Sequence, residues 1–412
     1  MIWFGSGMSA ASTAATAARE AATQAFAAFH GDGVGARPRG EPKLAIVFAS
    51  ASYEDVAGAA RVVRSVVGDA QIIGGTSGAC VIGDAHVASR GVSVVLLGGD
   101  GLEVKSHAAP LGSATFVETV PEAEKVAQAA DRAERRGFEH SSCLVFAPGM
   151  LDGEAIVAAV RKGAGPRIQL AGALTGDDLT FDRAKVFFGD ELRDDCVVLT
   201  GLFTKTPIGI GARHGWVATG AVHTVTRADG LHLVELDDRP ALDVWLEDVR
   251  RAGGTPPTNR DDIALYLANH YELGLADAGV PRPVIADDER ELIARAPFAI
   301  RSDGAVRLSA SVAEGTHVRV LRATPQGLLR ASTEAATAAV ARAGGRVAGA
   351  LVLSCAGRFV ALGESFAQEP AGIRQAIGAP VGGACVFGEI ARNVRDVDAF
   401  FNTTAVVVAF AT

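Results

Sequence analysis

The chain of 412 residues and 42.3 kDa is longer than one ordinary domain of roughly 100 to 200 residues, and its length predicts two or three such units. Its hydrophobic fraction of 49%, charged fraction of 21% and mean hydropathy of +0.23 exclude a disordered or fibrous polymer. A net charge of -8 argues against a nucleic-acid partner, because phosphate contacts need a basic face.

The cysteine pattern and the absence of targeting signals predict a cytoplasmic protein. Five cysteines form no C-x-x-C pair, a pattern typical of reduced thiols in the cytosol. The N-terminus lacks the basic region of a signal peptide. No uncharged apolar stretch reaches the roughly 18 to 20 residues of a bilayer span. We therefore expect no membrane partner.

The first hundred residues alternate between helix-like and short apolar segments. Ser9 is the predicted N-cap of an alanine-rich helix that ends near Phe29. The following elements are a strand, a helix, a short apolar run, a glycine-rich turn and a strand, at Leu44–Ala49, Tyr53–Val67, Ile72–Ile73, Gly74–Gly78 and Val92–Leu97. This alternation predicts an α/β sheet that is buried on both faces.

An internal repeat is visible when the chain is compared with itself. At an offset of 305 residues, Gly78-Ala-Cys-Val-Ile-Gly-Asp84 reappears as Gly383-Ala-Cys-Val-Phe-Gly-Glu389, and residues 45–50 match residues 350–355. We therefore expect residues 44–97 and 350–410 to share one βαββ-type unit, with Gly78 and Gly383 at equivalent positions. A weaker copy spans Leu144 to Thr200 and contains Gly172-Ala-Leu-Thr-Gly-Asp177.

The three glycine turns have two interpretations. Glycine permits a tight backbone, so the turns can be purely structural. Alternatively, Asp84, Asp177 and Glu389 converge at strand ends, where α/β folds place ligands, and receive an ammonium group. Neither G-x-G-x-x-G nor a P-loop motif is present.

The middle of the chain has a different pattern. A β-hairpin is predicted around Asp229-Gly230, a helix from Pro240, a loop over residues 251–260, a second hairpin over residues 298–308 and a helix over residues 328–342. Between Glu235 and Arg295, fourteen Asp and Glu residues stand against seven Arg residues. Such a charge run predicts a solvated face.

Many short motifs in order give a resemblance to the FIST family (F-box and intracellular signal transduction proteins). The N-terminal turn Gly75-Thr-Ser-Gly-Ala-Cys80 is similar to the family's G-C-S-T-x-G-E motif, with Thr in place of the usual Cys. The C-terminal part matches at Val222–Thr226, Glu235–Ala241, Cys355-Ala-Gly-Arg358, Glu364, Gly388-Glu-Ile390 and Phe401-Asn-Thr-Thr404.

The resemblance implies a sensory protein that binds a small ligand, with amino acids or related metabolites the usual proposal, and in some relatives haem as a nitric oxide sensor. It implies an N-terminal domain over residues 1–215 and a C-terminal domain over residues 216–412. No output segment follows Thr412, so we expect the signal to pass to a separate protein such as a histidine kinase.

Arg358 is the candidate anchor for a carboxylate, because it follows a core strand and a guanidinium binds carboxylates through two hydrogen bonds. Glu364 and Glu389 are candidates for the ammonium end of an amino acid, and Asn402 supports the neighbouring turn. In this interpretation Arg358→Ala lowers ligand affinity more than stability. An internal salt bridge between Arg358 and a glutamate is the equally supported alternative.

The cysteines and histidines offer further candidates. Cys80 and Cys385 occupy matching repeat positions and predict either a paired-thiol site or simple core packing. No Cys-His arrangement, zinc motif or covalent haem motif identifies catalysis. If haem binds, His214 or His223 is the candidate axial ligand, although each also fits a structural role.

The sequence thus predicts two packed α/β domains with mixed sheets, flanking helices and internally repeated βαββ-type units. The predicted function is that of a cytosolic small-ligand sensor with no required cofactor. An enzyme that uses the same cleft is the competing class, but no nucleophile, base and orienting group can be assigned.

Overall fold

The computed structural model describes residues 1–31, 40–276, 292–392 and 396–412. The first of three related units comprises residues 3–98. Its elements are β1 (Trp3–Ser9), α1 (Ala14–His30), β2 (Pro42–Ala49), α2 (Ala59–Val67), β3 (Gln71–Thr76), β4 (Val81–Ile82), β5 (Val87–Ala88) and β6 (Val92–Gly98).

The second unit comprises residues 102–204 and repeats this order of elements. It contains β7 (Leu102–Pro110), α3 (Thr119–Glu134), β8 (His140–Ala147), α4 (Gly153–Ala164), β9 (Gln169–Leu174), β10 (Val186–Phe188), β11 (Glu191–Arg193) and β12 (Cys196–Thr204).

The third unit begins with β13 (Ile208–Arg213), and residues 217–322, here called the insert, follow this strand. The insert contains β14 (Val217–Asp229), β15 (His232–Leu236), β16 (Arg239–Pro240), α5 (Ala241–Arg251), α6 (Arg260–His270), β17 (Tyr271–Leu275), β18 (Ile293–Arg295), β19 (Pro297–Ile300), β20 (Val306–Leu308) and β21 (His317–Arg322). These strands form one antiparallel sheet in the order β18-β17-β21-β14-β15-β20-β19, with β16 beside β15.

The third unit resumes after the insert and ends at residue 411. It contains α7 (Pro325–Arg342), β22 (Val347–Cys355), α8 (Ala356–Leu362), α9 (Gln368–Ile377), β23 (Val381–Val386), β24 (Gly388–Arg392), β25 (Asp398–Phe401) and β26 (Ala405–Ala411). The predicted mixed α/β fold with repeated units is confirmed.

The three units share one sheet topology. Their long strands lie in the orders β1-β6-β2-β3, β7-β12-β8-β9 and β13-β26-β22-β23. Each unit has one parallel pair of neighbouring strands, which are β2 and β3, β8 and β9, or β22 and β23. The other neighbouring long strands of each unit run antiparallel. Residues 44–97 and 350–410 therefore have the same topology, as the repeat predicts.

Each unit also passes a hairpin to the sheet of another unit. The β4–β5 hairpin of the first unit pairs with β23, β10–β11 of the second pairs with β3, and β24–β25 of the third pairs with β9. The three sheets are thereby linked in a cycle. Their inner faces share a core, in which Phe48 and Phe146 pack edge to face with ring centroids 5.6 Å apart.

The predicted equivalence of Gly78 and Gly383 is wrong. Val47 pairs with Gly74 on β3, Val145 with Gly172 on β9 and Val352 with Gly383 on β23. A Cβ on Gly383 would lie 1.8 Å from the carbonyl oxygen of Val352, and one on Gly74 would lie 2.1 Å from that of Val47. Gly74 is thus the equivalent of Gly383, because the helical connection in the third unit is longer by four residues.

Two local predictions near the N-terminus are also corrected. Ser9 lies in β1, where it pairs with Val92, and its hydroxyl donates to Glu20 Oε2 at 2.5 Å. Thr13 is the N-cap of α1, since its Oγ1 accepts from the backbone N of Thr16 at 3.2 Å. The strand β1 was not predicted.

The predictions for the middle region are largely confirmed, with one omission. The two hairpins occur at β14–β15 and β19–β20, the helices at α5 and α7, and a loop at residues 252–259. Helix α6 was not predicted. The acidic stretch from Glu235 to Arg295 is not uniformly solvated, because Asp248 and Glu272 are fully buried; residues 277–291 of that stretch lie outside the described residues.

Candidate functional site

A cavity of about 250 Å³ lies where the insert meets the third unit. Its walls are mainly apolar, and its polar lining comes from Glu272, Asn269, Asn402, Thr403 and Cys355. The remaining lining residues belong to the loop after β9, to α6, to the start of β19, to α8 and to the junction of β23 and β24: Leu179, Phe181, Ala264, Leu265, Ala268, Ala296, Pro297, Phe298, Ala356, Gly357, Val360 and Phe387.

Glu272 is the buried acid of this cavity. It lies on β17 with no exposed surface, and its Oε2 accepts the Thr403 hydroxyl at 2.5 Å while Oε1 has no hydrogen-bond partner. Burial raises the pKa of Glu272 to about 8, against the smaller lowering effects of the Thr403 hydroxyl, Arg358 and Arg295. The carboxyl is therefore largely protonated at neutral pH.

Cys355 and Glu389 form a second polar group at the cavity, of which only Cys355 lines it. Cys355 ends β22 and lines the cavity, and Glu389 is fully buried nearby. Burial and the Glu389 carboxylate raise the pKa of Cys355 well above its usual range. Burial likewise raises the pKa of Glu389, whose Oε2 accepts from the backbone N of Thr404 at 3.2 Å. Cys355 is thus a neutral thiol at neutral pH, not an activated nucleophile.

The loop Asn402–Thr404 connects these two groups. Thr403 has a left-handed backbone with φ 47° and bonds Glu272, while the next residue bonds Glu389. The side-chain oxygen of Asn402 accepts from the Ser309 hydroxyl, and its backbone N donates to Ala294. The segment is therefore held by both the insert and the third unit. Asn402 lines the cavity.

Asp177 and its neighbours position the aromatic wall. The fully buried Asp177 carboxylate accepts backbone N–H groups of Phe181, Asp182 and Arg183 at 2.8, 2.5 and 2.6 Å. Burial alone would raise the pKa of Asp177, but these donors hold it below its usual value. The turn carries Phe181 onto Phe387, with ring centroids 4.7 Å apart. Asp177 thus supports the cavity without lining it.

Arg358 does not line the cavity. It is fully buried and binds Glu369 Oε2 through Nε at 2.9 Å and through Nη2 at 2.5 Å. Its remaining hydrogen bonds go to the backbone oxygens of His214, Thr403 and Leu328. This is the geometry of the internal salt bridge, with Glu369 as a partner that sequence reasoning missed.

The other predicted acids are not brought together. Asp84 is exposed and binds Arg374 at 2.6 Å, and Glu364 is exposed in the 3₁₀ turn Gly363–Ala367. Neither lines the cavity. Glu272 was the missed acid, and its signal was a single charge inside the otherwise apolar strand Tyr271–Leu275, which is buried throughout.

Cys80 and Cys385 do meet, but not as equivalent residues. Both are fully buried, and their sulfur atoms lie 3.2 Å apart across the β4–β23 pairing. Neither cysteine lines the cavity, although Phe387, two residues after Cys385, does.

The two histidine candidates do not fit an axial haem site at this cavity. His223 Nδ1 contacts Asp237 at 2.7 Å and Nε2 contacts Asp248 at 2.9 Å, so both ring nitrogens are engaged. His214 Nδ1 accepts from the backbone N of Trp216 at 3.0 Å. Neither histidine lines the cavity. In the described ranges, no group of three or more His, Cys, Asp or Glu is placed to hold a metal.

Comparison with known proteins identifies the family. The FIST N domain matches residues 43–239, and the FIST C domain matches residues 241–392. The chain belongs to the FIST family. FIST domains are sensory domains of signal transduction that are thought to bind small ligands. The cavity of this FIST protein is formed mainly by its C-terminal matched region, to which the loop bearing Phe181 is added from the N-terminal one.

Other comparisons add little to the family assignment. No curated protein matches the chain. Among solved structures, a cyanuric acid hydrolase from A. caulinodans is 11% identical, with all of both chains covered and a TM-score of 0.29. A chorismatase is 10% identical, with 78% of this chain and 99% of that chain covered and a TM-score of 0.24. Neither similarity supports an argument about this FIST protein. None of the helices described is long and apolar enough to cross a bilayer.

Proposed function

We propose that this protein is a signal-transduction sensor whose cavity binds a small amine with an apolar body. The observation that carries the proposal is Glu272, a buried acid on the cavity wall with one carboxyl oxygen unpaired. A buried polar atom without a partner costs free energy, and a ligand donor that reaches it recovers that cost. The ammonium group of an amine is such a donor.

The size of the cavity limits the ligand. Its volume of about 250 Å³ lies between the roughly 150 Å³ of a cavity that binds benzene and the roughly 300 Å³ at which pockets for drug-sized molecules begin. The walls contribute the rings of Phe181, Phe298 and Phe387. A single ring or a branched aliphatic group with a short polar end therefore fits best.

The charge of the cavity favours an amine over an amino acid. None of the described lining residues is Lys, Arg or His, and Glu272 is the only described lining residue with an ionisable carboxyl group. Arg358, the sequence-based candidate for a carboxylate, is already paired with Glu369. A ligand carboxylate in this cavity would lack a cationic partner, which is costly in an apolar site. The amino acid expected from sequence is retained as the competing ligand.

Ligands that share one apolar body test the proposal. We expect 2-phenylethylamine to raise the melting temperature, phenylalanine to raise it less, and 3-phenylpropionate to leave it unchanged. At 100 times its dissociation constant a ligand adds about 2.7 kcal/mol of stability. An equal response to the acid and the amine would refute recognition by Glu272, and a stronger response to phenylalanine would support the amino acid instead. Haem belongs in the same screen as the alternative expected from sequence.

A matched pair of variants assigns the response to Glu272. Glu272→Gln removes a charge-assisted contact of roughly 1.5 to 3 kcal/mol, so amine affinity should fall about ten- to a hundredfold. Glu364→Gln, at an exposed carboxylate, should bind as the wild type does. Because Glu272 is largely protonated before binding, calorimetry near pH 7 in buffers of different ionisation enthalpy should show proton release by the wild type and less by Glu272→Gln.

The downstream partner stays a prediction. We propose that the signal passes in the cytoplasm to a separate signalling protein, for which a histidine kinase is the sequence-based expectation. The loop Asn402–Thr404 supports a route for the signal, because it joins the insert to the third unit at the cavity.

A further inference from the structure

We propose that Cys80 and Cys385 form an oxidative modification site, at which a peroxide converts the two thiols to a disulfide between the first and third units. The inference rests on a contact that ligand binding does not use. The two sulfur atoms lie 3.2 Å apart although 305 residues separate the cysteines in the chain.

The backbone around the two cysteines suits a disulfide. Val81 pairs with Ala384 and Ile82 with Gly383, so the next pair along these antiparallel strands is Cys80 and Cys385. The backbone N of Cys385 donates to the oxygen of Cys80 at 2.9 Å. Directly opposed residues have Cα atoms about 4.5 to 5.5 Å apart, which lies inside the roughly 4.4 to 6.8 Å range of disulfides.

The sulfur atoms need only a small movement to bond. Their separation of 3.2 Å must shorten to about 2.05 Å, and both side chains already lie on the same face of the pairing. The other cysteines have different surroundings. Cys143 contacts the oxygen of Leu144, Cys196 lies at the start of β12, and Cys355 lies at the end of β22 and lines the cavity.

Oxidant access comes from the edge of the sheet. Cys80 and Cys385 are fully buried, so reaction requires a local opening. The β4–β5 hairpin consists of two strands of two residues each at the end of the order β13-β26-β22-β23-β4-β5. Short edge elements have few hydrogen bonds and open at low free-energy cost. Opening of this hairpin exposes the segment that carries Cys80.

The reaction balances with a peroxide as the oxidant. When the oxidant is hydrogen peroxide, one thiol attacks it as the thiolate and the O–O bond breaks. This step gives a sulfenic acid and one water. The second thiol then attacks the sulfenic sulfur, the S–S bond forms, and a second water leaves. The two cysteines lose two electrons in total, which the peroxide accepts. Burial and the neighbouring Cys80 raise the pKa of Cys385, so the reaction should be faster at alkaline pH.

The disulfide would act on the cavity wall. The oxygen of Cys385 accepts from the backbone N of Gly78 at 2.7 Å, and Phe387 lies two residues further along the chain. A Cβ on Gly78 would lie 3.2 Å from both Ala356 Cβ and Phe387 Cδ1. This close packing transmits a shift of the paired strands to two lining residues. Oxidation should therefore change the affinity of the cavity for its ligand.

Peptide mapping of the full-length folded protein tests the inference. Reduced protein is treated with hydrogen peroxide, blocked with an alkylating agent and digested without reductant. We expect one cross-linked species that contains Cys80 and Cys385, two hydrogen atoms lighter than the reduced peptides and restored by dithiothreitol. Absence of this species, or a disulfide that contains any other cysteine in its place, would overturn the proposal.

Variants separate the pair from the remaining thiols. Cys80→Ala and Cys385→Ala should each abolish the cross-link, and Cys355→Ser should retain it because that thiol lies on the cavity side of β22. The wild-type map decides the question even if one variant fails to fold. The mapping uses no ligand, so its result is independent of the amine proposal.

Discussion

The guanidinium of Arg358 and the carboxylate of Glu369 form a salt bridge in which both side chains are almost completely hidden from solvent. Arg358 joins β22 and its following helix to the carbonyls of His214, Leu328 and Thr403. One buried cation thus links the end of β13, helix α7 and the loop beside the cavity. The main effect of this pair should be on stability.

We expect Arg358→Ala to lower the free energy of unfolding by roughly 3 to 5 kcal/mol, because it leaves the Glu369 charge buried without a cationic partner, with only the Ser354 hydroxyl among the described residues bonded to it. Urea denaturation measures the loss. Affinity for the amine should change less, since Arg358 does not line the cavity. From sequence alone we expected the opposite order, with affinity more sensitive than stability.

An exposed ion pair provides the control for this variant. Glu247 pairs with Arg239 on the surface, and Glu247→Gln should leave the unfolding curve almost unchanged, because exposed pairs contribute little. A wild-type unfolding curve for Arg358→Ala, together with lost ligand binding, would show that Arg358 acts in the site after all.

The pH dependence of stability should identify Glu272. Its pKa is about 8 in the folded protein and about 4.5 as the ordinary value of the unfolded chain. Between these values the folded state holds a proton that the unfolded state has released, so the free energy of unfolding falls as the pH rises. The slope for one such group is at most about 1.4 kcal/mol per pH unit. Below pH 4.5 and above pH 8 this contribution becomes constant.

Comparison with Glu272→Gln isolates that slope. The difference in unfolding free energy between the variant and the wild type should grow from pH 5 to pH 8, since the amide does not titrate. Glu364→Gln, which changes an exposed carboxylate, should run parallel to the wild type. Parallel curves for Glu272→Gln and the wild type would contradict the raised pKa.

The units were predictable from sequence to a useful extent, but their alignment was not. The match of residues 45–50 with 350–355 is correct, because Val47 and Val352 hold the same place in their sheets. The same offset fails for Gly78 and Gly383, since helices α8 and α9 replace the shorter α2 between the paired strands. The seven-residue similarity is thus not a structural equivalence.

The candidate site was less predictable than the fold, because its parts are distant in the chain. Asn402, a sequence-based candidate, lines the cavity, but the sequence does not show that its loop connects Glu272 to Glu389. Glu272 is hard to recognise from the sequence, because it lies in an acidic stretch typical of a solvated face, although the residue itself is fully buried. Local pattern also does not determine which sheet a hairpin joins, and the exchange of β4–β5 brings Cys80 beside Cys385.

The aromatic wall should affect ligand affinity more than stability. The ring of Phe181 stacks on Phe387 and meets Phe298 edge to face, yet 42% of Phe181 is exposed. Phe181→Ala should therefore change the melting temperature little. It should weaken amine binding about two- to tenfold, since aromatic contacts contribute roughly 0.5 to 1.5 kcal/mol.

Calorimetry with 2-phenylethylamine measures this effect. Phe26→Ala, at a partly buried position on α1 outside the cavity, is the control and should retain wild-type affinity. If both variants bind as tightly as the wild type, the cavity beside Phe181 is not the amine site.

The glycine on the third strand of each unit should be essential for stability. A Cβ at position 383 would lie 1.8 Å from the Val352 oxygen, and at position 172 it would lie 1.9 Å from the Val145 oxygen. Both contacts are to backbone atoms of the neighbouring parallel strand, which cannot move without breaking the sheet. We expect Gly383→Ala to destabilise the fold by at least roughly 1 to 3 kcal/mol, the usual range for overpacking.

Gly40→Ala is the matched control, because its nearest contact, the Trp3 ring, would be at an ordinary 3.6 Å. Urea denaturation should show a lower midpoint for Gly383→Ala and for Gly172→Ala, and an unchanged midpoint for Gly40→Ala. A wild-type midpoint for Gly383→Ala would mean that the close approach of β22 and β23 is not required by the repeated fold.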